Sequence, residues 1–338
     1  MITTAIGNYP KVAEGAYSTI GAISKWQANE LNDEQLEGRF RDVTQAVIRE
    51  QEAAGLDLIT DGQIRWEDIV TPIARRLKGV EINGLTRWFN NNVYYRRPIV
   101  RKPPVRRGPI LVEEYRFAAR VAKKPVKAVL PGPYTFAIVS ENRYYKSLKP
   151  LALRLAEILN AEARALAEAG ASFIQFDEPA IGFGKTDIKL AVEALNLAAN
   201  NVHTKTGVAT YFGSLNGGLA SLMRARVDVI GVDVVSDPQT IAALKRVKIV
   251  KELAVGCLDA RNTKLESVAE LHALFNVIRK RVPLDRVYVS PNAGLEFLPH
   301  TQALAKLKRL AQAVRTFRCQ APFSVSGTVY RTLGVRHH

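Results

Sequence analysis

Cysteine is nearly absent from these 338 residues, with Cys257 and Cys319 the only two. That excludes a disulfide framework and a zinc site built from cysteines alone, and it makes a reducing cytoplasm the expected compartment. Histidine is scarce too, at five residues, two of which are the final His337 and His338. No apolar run approaches the roughly 18 residues of a membrane span, so no membrane partner is expected. Residues 1–4 show no basic-then-apolar leader, which also fits the cytoplasm. Acidic residues are outnumbered, 32 against 48 basic ones, giving a net charge of +16. Such a balance suits nucleic acid, a membrane surface or a polyanionic small molecule. No helix-turn-helix, zinc-finger or ribonucleoprotein signature accompanies it. A small-molecule substrate is expected, and no nucleic acid.

What the chain has is hydrophobic material, 47% of it, arranged as eight short apolar runs between amphipathic helices. The runs fall at 2–7, 56–60, 126–130, from Phe173 to Asp177, 208–213, 229–235, 253–259 and 287–291. Helical periodicity is clearest over 33–54, 151–169, 188–203, 265–282 and 301–317. Near-continuous apolar strands alternating with such helices predict an α/β fold with a parallel sheet covered on both faces. Eight units predict a single (β/α)8 TIM barrel over residues 1–330, with a tail at 331–338. An open doubly wound sheet is the alternative, but no Gly-x-Gly-x-x-Gly follows the first run. A long insertion at 65–124 follows the second strand. It carries an aromatic, asparagine-rich stretch at 87–95 and a basic segment at 96–107, read as a flap with a proline-stiffened loop.

The organising stretch is Phe173-Ile174-Gln175-Phe176-Asp177-Glu178-Pro179-Ala180, an apolar strand that ends in two carboxylates. Such a pair either caps the next turn or forms a site. Its company favours a site. Asn8, Asp61, Gln63, Asp177, Glu178, Asp233, Asp259, Arg261 and Asn292 all lie at or just past strand ends. In a barrel those ends converge on one mouth.

At these residues the sequence resembles the cobalamin-independent methionine synthase family, over nearly the whole chain. The resemblance rests on Thr4-Ala5-Ile6-Gly7-Asn8-Tyr9-Pro10, Gln175-Phe176-Asp177-Glu178-Pro179-Ala180 and Gly256-Cys257-Leu258-Asp259-Ala260-Arg261-Asn262. That family comprises two related barrels. The C-terminal one binds zinc and homocysteine, and the diverged N-terminal copy, without zinc, helps hold the folate's glutamate tail. Residues 86–95 and 209–215 are similar to the N-terminal copy, and 291–299 to the catalytic one.

The resemblance implies a zinc held by His-x-Cys after strand five, an acid at strand six and a Cys after strand eight. Those positions are Ala209, Tyr211, Asp233 and Ala293 here. One carboxylate cannot supply the three or four ligands zinc takes, so no zinc is expected, while Mg²⁺ or Mn²⁺ on carboxylates stays open. The resemblance also implies that Asp177 holds homocysteine's amino group. Gln63 stands where the family has Glu, and Asn8 where it has Ser. Arg261 stands where the catalytic copy has a histidine acid; it can stabilise an anion but cannot shuttle protons.

Asp177, Glu178, Asp233 and Arg261 are therefore the candidate catalytic residues, and Asn8, Gln63, Tyr211, Asp259 and Asn292 the candidate substrate-binding ones. Arg87, Trp88, Arg96 and Arg97 are candidates for holding a methyltetrahydropterin and its anionic tail. Three functions stay open. The first is methyl transfer to homocysteine in methionine biosynthesis, beside a separate zinc-bearing barrel. The second is changed, zinc-independent chemistry on a small anionic or amino-acid-like substrate. The third is non-catalytic binding.

Overall fold

The computed structural model describes residues 1–11, 19–89, 91, 94–215 and 217–320, so the expected tail at 331–338 lies outside the described residues. Helix Asp33–Ala54 shows how local sequence sets the architecture. Asn32 caps it, accepting from Gln35 N at 2.9 Å while the Gln35 side chain accepts from Asn32 N at 2.9 Å. Val43, Val47 and Ile48 turn to the core, and Gly55, at φ 91, ends the helix in a left-handed conformation.

The strands are β1 (Ile2–Thr3), β2 (Leu77–Arg87), β3 (Tyr94–Arg106), β4 (Ala128–Pro131), β5 (Glu141–Asn142), β6 (Phe173–Asp177), β7 (Lys205–Ala209), β8 (Val229–Asp233), β9 (Glu252–Leu258) and β10 (Val287–Pro291). A parallel sheet runs β1-β10-β9-β8-β7-β6-β4. Its two edges meet through the second apolar run. Thr4 bridges Leu58 and Ile59 bridges Val126, both parallel, and Lys127 N donates to Ile59 O at 2.9 Å. The ring of eight expected from the sequence is thus closed, with its second member reduced to a two-bridge seam. Strands β4, β6, β8 and β10 are buried along their whole length, as a parallel barrel under helices requires.

Three expectations need correction. The first strand is shorter than 2–7, since regular pairing stops at Thr3 and continues only as the Thr4 bridge. The fifth strand is Lys205–Ala209 rather than 208–213, because Phe212 adopts φ 70, a left-handed conformation that no strand continues through. The basic segment at 96–107 is not a loop. Up to Arg106 it belongs to β3, which pairs antiparallel with β2 and parallel with β5 in a separate three-stranded sheet. Register shifts at Lys78/Val80 and Ile82/Leu85 interrupt the ladder opposite the prolines. Among the described residues, no helix is long and apolar enough to cross a membrane.

A candidate active site at the barrel mouth

Asp177 ends β6 and is 1% exposed. Its Oδ2 accepts from the Tyr211 hydroxyl at 3.0 Å, and its Oδ1 from Gln175 Nε2 at 2.6 Å. Gln175 in turn accepts, through Oε1, from Lys127 Nζ at 2.6 Å, and Lys127 also donates to Ala5 O at 2.5 Å. A buried chain Lys127–Gln175–Asp177–Tyr211 therefore runs from the barrel interior to its mouth. Burial pushes the Asp177 carboxyl up and the Lys127 ammonium down, each against the attraction of the other. Burial and the Asp177 charge both hold the Tyr211 hydroxyl protonated.

A second cluster joins β8, β9 and β10. Asp233 accepts from Val235 N at 2.9 Å and Ser236 N at 2.8 Å through Oδ1, and from Phe212 N at 3.3 Å through Oδ2. Asn292 Nδ2 lies 3.2 and 3.1 Å from its two oxygens. Asn292 Oδ1 accepts from Ala260 N at 2.9 Å, which ties the ends of β9 and β10 together. Asp259 turns back to accept from Arg261 N at 2.9 Å. The exposed Arg261 guanidinium lies 5.4 Å from the Phe212 ring centroid and donates to Ser236 Oγ at 3.1 Å.

Two further acids named from the sequence are engaged by local backbone. Glu178 accepts from Tyr134 N at 2.9 Å and Thr135 N at 2.7 Å, at the start of helix Pro133–Val139. It caps that turn, and burial raises its carboxyl to about 7. Asp61 accepts from Gln63 N at 3.0 Å and lines a small cavity with Trp66 and Glu114. Gln63, at φ 49 and 1% exposed, has neither side-chain polar atom paired, and its side chain lies against Gly7. Asn8 Nδ2 donates to Glu296 Oε1 at 3.4 Å. Glu296 is raised to about 7 by burial, with Asp177 pushing the same way.

The hairpin reaches over these groups. Phe89, at φ 48, packs on Phe183 at 5.2 Å and on Phe212 at 6.1 Å, and Phe212 packs on Phe297 at 5.7 Å. Arg96 pairs across from Leu85, and Arg87 across from Tyr94, so Arg87 and Arg96 share one exposed face of the hairpin. Arg97 points to the other face and lies 3.9 Å from Glu141. Arg87 Nε donates to Asn91 O at 2.9 Å, and Trp88 is buried against Phe89 and Tyr95. The structure thus brings two of the three arginines together and seats the tryptophan as packing.

A family model described as the catalytic domain of cobalamin-independent synthase matches residues 1–316. The chain belongs to the cobalamin-independent methionine synthase family. Proteins named methionine synthase from Sulfurisphaera tokodaii and Saccharolobus solfataricus are each 33% identical, covering 94% of this chain and 92% and 94% of their own lengths. A B12-independent methionine synthase from Shewanella sp. W3-18-1, solved in complex with selenomethionine, superposes with a TM-score of 0.81 at 23% identity, covering 94% of this chain and 99% of that one. That likeness shows the fold.

Zinc, which the family implies, does not fit the donors present. Ala209 and Ala293 offer none, the Tyr211 hydroxyl is committed to Asp177, and Asp233 is occupied by backbone N–H groups and Asn292. Among the described residues, no three His, Cys, Asp or Glu side chains form a ligand set. Cys257 is a core thiol, raised to about 12 by burial. Sequence reasoning missed Lys127 and Glu296. Lys127 had a signal, a lone base at the start of an apolar strand, which a barrel can bury only with a partner.

Proposed function

We propose that this barrel works in methyl transfer to homocysteine, binding the amino acid without a zinc ion of its own, beside a separate zinc-bearing barrel of the family. The observation that carries this reading is the Tyr211–Asp177 hydrogen bond. Where the family resemblance places a thiolate ligand, a phenol instead orients the carboxylate assigned to the substrate's amino group. Asp177, steadied from both sides by Gln175 and Tyr211, offers its remaining lone pairs to an ammonium. The unpaired Gln63 amide, which lies against Gly7, and Asn8 are the neutral hydrogen-bonding groups assigned to the substrate. Arg261 supplies positive charge for an anionic group at the rim.

A free thiol has a pKa of about 8.5 and stays mostly protonated at neutral pH, so thiolate formation is assigned to the zinc-bearing partner. A methyltetrahydropterin is the proposed co-substrate. Arg87 and Arg96, on one exposed strand face, suit its anionic tail, and the net charge of +16 would steer it inward. A cytoplasmic setting goes with this role.

Calorimetric titration of the chain with homocysteine and with an oligoglutamated pterin, alone and with the zinc-bearing barrel, tests the proposal. Homocysteine binding that is lost in Asp177→Asn supports it. No binding of either compound, with or without the partner, counts against it. The aromatic cover favours a second reading, a binding protein whose mouth stays shut: Tyr211 is 4% and Phe212 7% exposed. No uptake of homocysteine or pterin by the wild type, with the fold intact and no turnover in the reconstituted pair, would select it.

A further inference from the structure

Beside the mouth, between the hairpin and the segment after β10, lies a cleft of about 180 Å³ whose walls include Asn8, Lys11, Asp68, Trp88, Tyr95 and Glu296. Two carboxylate oxygens in these walls have no partner. Asp68 is 8% exposed; its Oδ1 accepts from Val70 N at 2.8 Å and Thr71 N at 2.7 Å, and its Oδ2 from nothing. Glu296 receives Asn8 at Oε1, and its buried Oε2 is likewise unpaired. A buried acceptor left without a donor is costly, and native proteins keep few of them. The third acid of the wall, Glu67, is already taken by Arg75. Lys11 is the wall's own base. Burial weakens its hold on a proton, while Glu296 and Asp68 act in the opposite sense. The remaining surface is aromatic, with Trp88 and Tyr95 edge-to-face at 5.2 Å and Tyr94 and Phe297 beside them.

We propose that this cleft binds a protonated primary or secondary amine carried on an apolar stem. N–H donors answer the two unpaired oxygens, the positive charge answers the two acids, and the stem lies along the rings, where cation–π attraction adds to the hold. A quaternary ammonium brings charge without N–H, and an alcohol brings a donor without charge, so these two are the controls. The cleft shares Asn8 with the methyl-transfer reading but makes no use of Asp177, Tyr211 or Asp233, so butylammonium binding that survives Asp177→Asn separates the two.

The full chain is titrated at neutral pH with n-butylammonium, tetramethylammonium and n-butanol, by calorimetry and by tryptophan fluorescence, which Trp88 reports. Butylammonium should bind saturably, tetramethylammonium at least about tenfold more weakly, and butanol not at all. Glu296→Gln and Asp68→Asn should each weaken butylammonium by about tenfold while the fold survives, because Gln keeps an acceptor for Asn8 and Asn is a good cap. Lys11→Met should tighten binding by removing the tethered rival cation. Equal binding of the alcohol, or an affinity indifferent to both carboxamide variants, overturns the proposal. So does absence of binding in both the wild type and Lys11→Met, which would leave Lys11 as the acids' sole partner.

Discussion

The Tyr211 hydroxyl donates to Asp177 Oδ2 at 3.0 Å, joining the last residue of β6 to a residue two past the end of β7. Both groups are buried, Asp177 at 1% exposure, so the bond fixes the direction of a carboxylate that bulk solvent does little to orient. Tyr211→Phe should lower stability by about 1–2 kcal/mol and weaken homocysteine binding further than that loss alone, because Asp177 can then turn away. Chemical denaturation and calorimetry measure the two effects. Binding unchanged in the phenylalanine variant would make Tyr211 filler.

Lys127 is the base that favours the ionised form of Asp177 through the Gln175 link. In Lys127→Met, burial of Asp177 is opposed only by the hydrogen bonds from Gln175 and Tyr211, and its carboxyl rises further. Homocysteine binding through an ionised Asp177 should then be gained at a higher pH than in the wild type. A pH series of affinities reads this directly, and an unmoved profile would remove Lys127 from the account.

Glu178 ionises near 4.5 in an unfolded chain and at about 7 in the fold, where burial raises it. Between those values the folded protein holds a proton that the unfolded chain has released. Its contribution is therefore most favourable below about 4.5 and declines as pH rises toward 7, by about 3 kcal/mol in all. Glu178→Gln should flatten the slope of Tm against pH across that window. An identical slope in the variant would contradict the assignment.

Gly132 is needed for that cap. Its φ of −74 suits any residue, but a Cβ there would lie 2.0 Å from the Glu178 carboxyl carbon. Gly132→Ala should cost about 2–4 kcal/mol, through overpacking and loss of the hydrogen bonds to Tyr134 N and Thr135 N. Denaturant unfolding gives the value, and a neutral result would mean that Glu178 has other room to move.

Much of the barrel was legible because its strands are uniformly apolar and its helices strongly periodic. β6, from Phe173 to Asp177, could be placed from its apolar run and the acids that end it. The hairpin was not legible. Pro98, Pro103 and Pro104 read as loop, and β2, half-exposed along most of its length, lacks the alternation that reveals a strand. The fifth strand was misplaced because Tyr211 and Phe212 look like strand residues, and nothing in their identity announces the left-handed turn at Phe212. At the site, the residue types were legible and their directions were not. Asp177 and Glu178 are adjacent, yet one faces Tyr211 and the other caps a helix. Glu296 follows a 3₁₀ start after β10, and only folding brings it beside Asn8, about three hundred residues away in sequence.

The central claim is that this mouth binds an amino acid with a phenol and alanines where its family implies metal donors. Elemental analysis of the dialysed full-length protein, purified from zinc-supplemented cells, tests it most directly. The account predicts zinc far below one per chain, with homocysteine binding unaffected by a chelator. About one zinc per chain, retained through dialysis and required for homocysteine binding, would contradict it.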